Sequence, residues 1–277
     1  MTVFKKLPFL YQLAAVVLAL FAVCAIFAPV LAPYDPNRVL PDETLQPCSA
    51  AHWLGTDALG RDVFSRILYG ARISIGFAVT AALCTALLGV SLGLLGGYFG
   101  GMADAGIQLL VNIFQGLPGM SMMIAIAGVM GPSTFSLLLA VTLTSWAGFS
   151  RIVRGEVLRI REESYIEGVR SLGGSDSYIL LHYLLPNLFN SLIILFTVRI
   201  AAVVLSVASL SFLGLGMQPP QADWGVMIND AKSYFRSYPN LLLAPGFCIL
   251  ALCASIHLTG DALRDIFSIP KSIDKPY

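Results

Sequence analysis

The side chains that could do chemistry are few in this chain, and they lie far apart. His52, His182 and His257 fall in three different segments, so the sequence offers neither a metal cluster nor a Ser-His pair. Gly96-Gly97-Tyr98-Phe99-Gly100-Gly101 is glycine-rich. A loop that holds nucleotide phosphates and Mg²⁺ needs Gly-Lys-Ser/Thr after its glycines, and no lysine follows here. Arg199 stands inside an otherwise apolar run, where a guanidinium could hold a carboxylate. Gln108, Asn112 and Gln115 form a polar near-helical stripe that could line a cavity or bond a neighbouring helix. Met120, Met122, Met123 and Met130 cluster close by and read as packing, since soft ligands alone are weak evidence for a metal. No basic stripe or Cys/His finger spacing points to nucleic acid. Binding and movement of a solute remain; catalysis does not.

The elements that must position these residues follow from composition. Of 277 residues, 57% are hydrophobic and 12% charged, and mean hydropathy is +0.78. Soluble domains carry about 25% charged residues, so water is not the solvent for most of this surface. A helix crosses a bilayer core in about 20 apolar residues. On that basis six transmembrane helices are predicted, near 10–32, 73–97, 104–130, 134–154, 188–213 and 240–261, in an all-α polytopic fold. Gly131-Pro132-Ser133 separates the third from the fourth. Gly89, Gly93, Gly97 and Gly101 recur every fourth residue and predict a smooth ridge for close helix packing. Asp104 and His257 fall near the ends of their spans, which leaves no acid or histidine at midplane for a proton-coupled carrier.

The first run is longer than a signal-peptide core, and Pro33 follows its small-residue site, so an uncleaved anchor is expected. Lysines and arginines of the short loops orient the spans. Lys5, Lys6, Arg151, Arg154, Arg159, Arg161, Arg170, Arg264, Lys271 and Lys275 lie on one side. Arg38, Arg61, Arg66, Arg72, Lys232 and Arg236 lie on the other. The excess places both termini in the cytoplasm, of a cell or inner membrane. The resulting division is stub and anchor 1–32, external loop 33–72, transmembrane domain 73–262 and cytoplasmic tail 263–277. Cys48 is the one cysteine in a polar loop, which excludes a disulfide within it. Trp53 and Trp224 read as anchors at the outer interface or as contacts for an external partner.

The internal loop 155–187 is too polar and too long for a simple turn. Tyr165, Ile166, Val169 and Leu172 share one helical face. Arg159 and Glu163 are an attractive i,i+4 pair, and Gly173-Gly174 supplies a left-handed stop. A second short helix is predicted from Ser175, as N-cap, to Pro186. Two readings stay open: an amphipathic helix lying on the bilayer, or a helix that docks apolar anchors into a partner's groove.

Glu167-Gly168-Val169, then Gly173, then Tyr183-Leu184-Leu185-Pro186 after nine residues resembles the EAA loop of ABC importer permeases. Gly168, Val169 and Tyr183 depart from that pattern, while Glu167, Gly173, Pro186 and the spacing match it. The segments 52–57, 60–66 and 211–216, with Trp224-Gly225, resemble the dipeptide/oligopeptide/nickel branch. The resemblance implies a type I importer permease that binds no cofactor itself. It implies a second permease subunit, two ATPase subunits that use ATP and Mg, and an extracytoplasmic solute-binding protein, all around one lipid-embedded path. It makes 155–187 the coupling loop, with Tyr165, Glu167, Gly168, Val169, Leu172, Gly173 and Pro186 as its working residues. Glu167 and Gly173 are the expected joint. Arg199, Gln108, Asn112 and Gln115 are the candidate solute path. Peptides and nickel or metal chelates are the candidate cargoes. A stand-alone secondary transporter of a small anionic solute is the alternative.

Overall fold

The computed structural model describes residues 8–268. Lys5, Lys6, Lys271 and Lys275, which helped orient the chain, lie outside the described residues. Among the described residues ten α-helices follow one another: α1 (Phe9–Leu31), α2 (Val63–Phe99), α3 (Gly101–Gly116), α4 (Gly119–Met130), α5 (Thr134–Arg161), α6 (Ser164–Ser171), α7 (Asp176–Ile179), α8 (Leu185–Phe212), α9 (Trp224–Ala231) and α10 (Asn240–Ser268). Five stretches are long and apolar enough to span a membrane, and α3 with α4 makes a sixth if that bent pair is one span. The chain is a multi-pass membrane protein. On α1, Phe9, Val16, Ile26 and Val30 are exposed to at least 61%, as lipid-facing side chains are when the helix's own hydrogen bonds satisfy the backbone.

Two predicted spans change shape. The second starts ten residues earlier than expected, at Val63, where Asp62 caps it by accepting from the Ser65 amide at 2.7 Å. At about 1.5 Å per residue, its 37 residues reach about 55 Å, well past a core of about 30 Å. A quarter of the presumed loop 33–72 therefore belongs to a rod. The third span is not one helix but two, bent by 90°. Pro118 has no amide hydrogen and drives Leu117 into an extended conformation, ψ 142°. Pro118 is the N-cap of α4.

The glycine ridge lies along the α2–α5 contact for three of its four members. A Cβ on Gly89 would stand 2.7 Å from Phe149 Cβ, on Gly93 2.8 Å from the Ser150 carbonyl, and on Gly97 2.8 Å from Val157. Gly101 is the exception, because α2 has already ended and its φ of 57° belongs to the turn into α3.

At the end away from loop 155–187, the segment 32–62 folds onto α2. His52 lies between two carboxylates, Asp62 at 2.9 Å and Glu43 at 3.2 Å. Arg61 bridges Asp57 at 2.6 Å and Asp230 at 3.1 Å, joining this segment to α9. Asp223 caps α9 through the Gly225 and Val226 amides and accepts from Ser74 of α2 at 2.8 Å. Burial pushes its carboxyl pKa upward, against those three donors and Ser211. Trp224 is not an interfacial anchor: it is 1% exposed, stacks edge-on with Phe21 and donates to the Ile67 carbonyl at 3.1 Å. Trp53, by contrast, is 63% exposed. Asp223→Ala removes a helix cap worth about 0.5–2 kcal/mol and strands Ser74. Thermal unfolding of the detergent-solubilised chain should come several degrees lower, whereas Trp53→Ala should leave it unchanged.

Candidate coupling loop and solute path

α5 ends at Arg161, and its last turn carries the surface pairs Arg159–Glu156 at 3.1 Å and Arg159–Glu163 at 3.8 Å. α6 then stops as its glycines dictate. Gly173 has φ 86°, its amide donates to the Arg170 carbonyl, and the Gly174 amide reaches back to the Val169 carbonyl, both at 3.0 Å. These are the paired bonds of a Schellman cap. Ser175 caps α7 as expected, by accepting from the Tyr178 amide.

The second short helix does not end at Pro186. α7 passes through a π-helical stretch, Leu180–Leu184, directly into α8. Pro186 falls in the first turn of α8, where its missing amide hydrogen is least needed. The wide turn just before it absorbs the mismatch. Loop and span are thus one continuous rod.

The shared apolar face divides. Ile166 is 1% exposed and joins Ile160, Val157, Ile179, Leu184, Leu188 and Tyr98 in a core beneath the loop, with Val169 packed alongside. Tyr165 and Leu172 point outward, at 42% and 90% exposure. Glu167 is exposed, and both Gly168 and Gly173 have open space where a Cβ would be. Alanine would fit at 168, so this departure from the EAA pattern carries no steric demand. Asn187 donates to the Tyr165 hydroxyl at 3.4 Å and to the Tyr183 carbonyl at 2.7 Å, tying α6 to the start of α8.

Arg161, Tyr98 and Asp176 fasten the loop to the spans. Arg161 Nη1 donates to the Gly97 and Tyr98 carbonyls, each at 3.1 Å, and so caps the end of α2. The Tyr98 hydroxyl donates to Asp176 Oδ1 at 2.6 Å. Tyr98 and Asp176 are 78 positions apart, and no local pattern in the sequence marks them as a pair.

Of the candidate path residues, the α3 stripe faces α5. Arg154 donates through Nε and Nη2 to the two oxygens of Asp104, each at 2.5 Å, one turn before Gln108. Arg151 donates to Asn112 Oδ1 at 3.0 Å. Gln115 Nε2 lies 3.7 Å from where a Gly148 Cβ would be. Arg199 forms no hydrogen bond with any of them: it sits half-buried on α8, its Nε buried with no hydrogen-bond partner among the described residues. At the opposite end a cavity of about 360 Å³ opens between Asp57, Arg61 and Arg66 on one side and Met227, Asp230 and Tyr234 on the other.

Residues 89–267 match the family described as "Binding-protein-dependent transport system inner membrane component". The chain belongs to that family. Residues 12–47 match the N-terminal transmembrane domain of oligopeptide transport permease C. The permease is 39% identical over 262 residues to the glutathione transport system permease protein GsiD of Pectobacterium atrosepticum, covering 93% of this chain and 87% of the relative. It is 38% identical over 253 residues to the dipeptide transport system permease protein DppC of Alkalihalophilus pseudofirmus, covering 90% and 82%. Its fold is similar to a chain of the MetNI methionine ABC transporter, with TM-score 0.58 at 18% identity over 73% of this permease and 97% of that chain. The fold class expected from the sequence, a polytopic all-α importer permease, is the one found.

Proposed function

We propose that this permease forms half of an import path for small peptides, glutathione and dipeptides among them. The names of relatives at 38–39% identity support that cargo class. They lend nothing specific to nickel or metal chelates, and the family assignment leaves the stand-alone secondary transporter without support. In this reading a second permease completes the path. Two ATPase subunits bind the cytoplasmic loop, a binding protein delivers solute from outside, and both termini lie inside.

The observation that carries it is the exposed apolar knob at the end of α6. Leu172 is 90% exposed beside half-exposed Tyr165, on a short helix whose other face is locked down by Ile166. Such anchors gain free energy in a partner's groove. A lever needs this combination: a rigid base, and a tip that binds something else. Glu167, exposed next to them, supplies polar contact at the rim.

The experiment is affinity purification of the tagged permease from its native membrane in mild detergent, with its companions identified by mass spectrometry. The wild-type chain should bring a second permease and ATPase subunits. Leu172→Asp buries a charge in the groove and should weaken ATPase recovery about tenfold, for a loss of about 1.4 kcal/mol, while the second permease is retained. A wild-type chain recovered alone, under conditions that keep a known ABC complex whole, would sink the reading.

A further inference from the structure

We propose that Tyr98 is the positioning residue that couples both arms of loop 155–187 to the transmembrane rod α2, and so converts loop movement into helix movement. This rests on the reading that ATPases dock on that loop. Tyr98 is the penultimate residue of α2, and its ring is 5% exposed within the core beneath the loop. Its hydroxyl donates to Asp176 Oδ1 at 2.6 Å, and Asp176 is the first residue of α7. Over the same ring, 5.8 Å from its centroid, lies the guanidinium carbon of Arg170 on α6, within the range of a cation–π contact. One side chain therefore touches the helix before the Gly173 turn and the helix after it.

The backbone beneath that ring is fixed as well. Arg161, the last residue of α5, donates to the Gly97 and Tyr98 carbonyls. These would otherwise be unsatisfied acceptors at a helix end. A displacement of α6 or α7 thus reaches the end of α2 through Tyr98, with little slack. From there α2 runs unbroken to the opposite end, where Ser74 bonds Asp223 and the Ile67 carbonyl accepts from Trp224. Through those two contacts α2 meets α9. Glu167 and Gly173 are both exposed, whereas Tyr98 is buried between the loop and α2.

The test uses the whole complex, reconstituted with its companions in liposomes, and reads both dipeptide uptake and ATP hydrolysis. Tyr98→Phe keeps the ring and the Arg170 contact but removes the hydroxyl. Assembly and ATP hydrolysis should stay within about twofold of wild type, while dipeptide moved per ATP falls about tenfold. Asp176→Ala should reproduce that loss, and it reports from the exposed side should Tyr98→Phe fail to assemble. Asp176→Asn keeps an accepting oxygen and should restore most of the ratio. An unchanged ratio in Tyr98→Phe and Asp176→Ala overturns the proposal. So does a fall in uptake and hydrolysis by the same factor, which is what loss of mere stability produces. If the wild-type complex contains no ATPase, the functional reading fails first and takes this joint with it.

Discussion

Gly93→Leu should leave almost no folded permease in the membrane. A Cβ at this position already stands 2.8 Å from both the Ser150 carbonyl oxygen and Val153 Cβ, and one of those is backbone that cannot swing aside. The helices would have to separate, and Gly89 and Gly97 on either side hold the same close approach. Overpacking a well-packed site costs about 1–3 kcal/mol for modest insertions. Three further carbons wedged along the α2–α5 contact compound it, against a total stability of about 5–15 kcal/mol. The measurement is the monodisperse fraction by fluorescence size-exclusion of a tagged chain, with a thermal challenge for milder variants. Gly93→Ala should unfold several degrees below wild type. Gly76→Ala, on the same helix but with open space around the added carbon, should unfold at the same temperature or slightly above, since alanine is favoured over glycine in a helix by about 1 kcal/mol. Equal effects at the two positions would mean that helix propensity, and not the close approach, sets the outcome.

That seam was legible because its signal is local: a four-residue period in one helix states that something comes close, whatever that something is. Gly101 broke the period for a reason equally local but easy to misread, since Gly100 and Gly101 both adopt positive φ and form the turn. The spans were legible from hydropathy, and the bend at Leu117-Pro118-Gly119 was not, because those residues are as compatible with a bilayer as their neighbours. The Pro-Gly pair was the available signal. Loop 155–187 was readable where a cap or a repeat governs it, as at Gly173 and Ser175. Which of its apolar residues face inward depends on a core shared with α2 and α8, so the split between Ile166 and Leu172 could not come from periodicity. Long-range pairs were invisible for the same reason. Trp224 is buried because Gly70, 154 positions away, leaves a slot for its ring, and the second carboxylate on Arg61, Asp230, is 169 positions away.

Arg199→Gln should lower uptake of a free dipeptide about a hundredfold while the complex still assembles. Arg199 lies about 14 residues into α8, or about 21 Å along its axis, a depth at which an arginine costs roughly 2.5–3.5 kcal/mol to insert. Its Nε is buried without a hydrogen-bond partner, and no ion pair within the described residues compensates the charge. Such a group calls for completion by something outside the described residues. A solute carboxylate fits the proposed cargo, because every free peptide carries one at its C-terminus. The competing completion is an acid on the second permease. Truncating one member of a buried charged pair costs about 2–5 kcal/mol, which is the source of the hundredfold, and glutamine keeps an amide donor while losing the charge. Comparing a dipeptide with its C-terminal amide separates the two completions. If Arg199 holds the solute, wild type prefers the free acid, Arg199→Gln loses that preference, and Arg199→Lys keeps part of it. If it holds the partner, Arg199→Gln lowers recovery of the second permease, and acid and amide suffer alike. Intact assembly together with intact uptake would remove Arg199 from the path altogether.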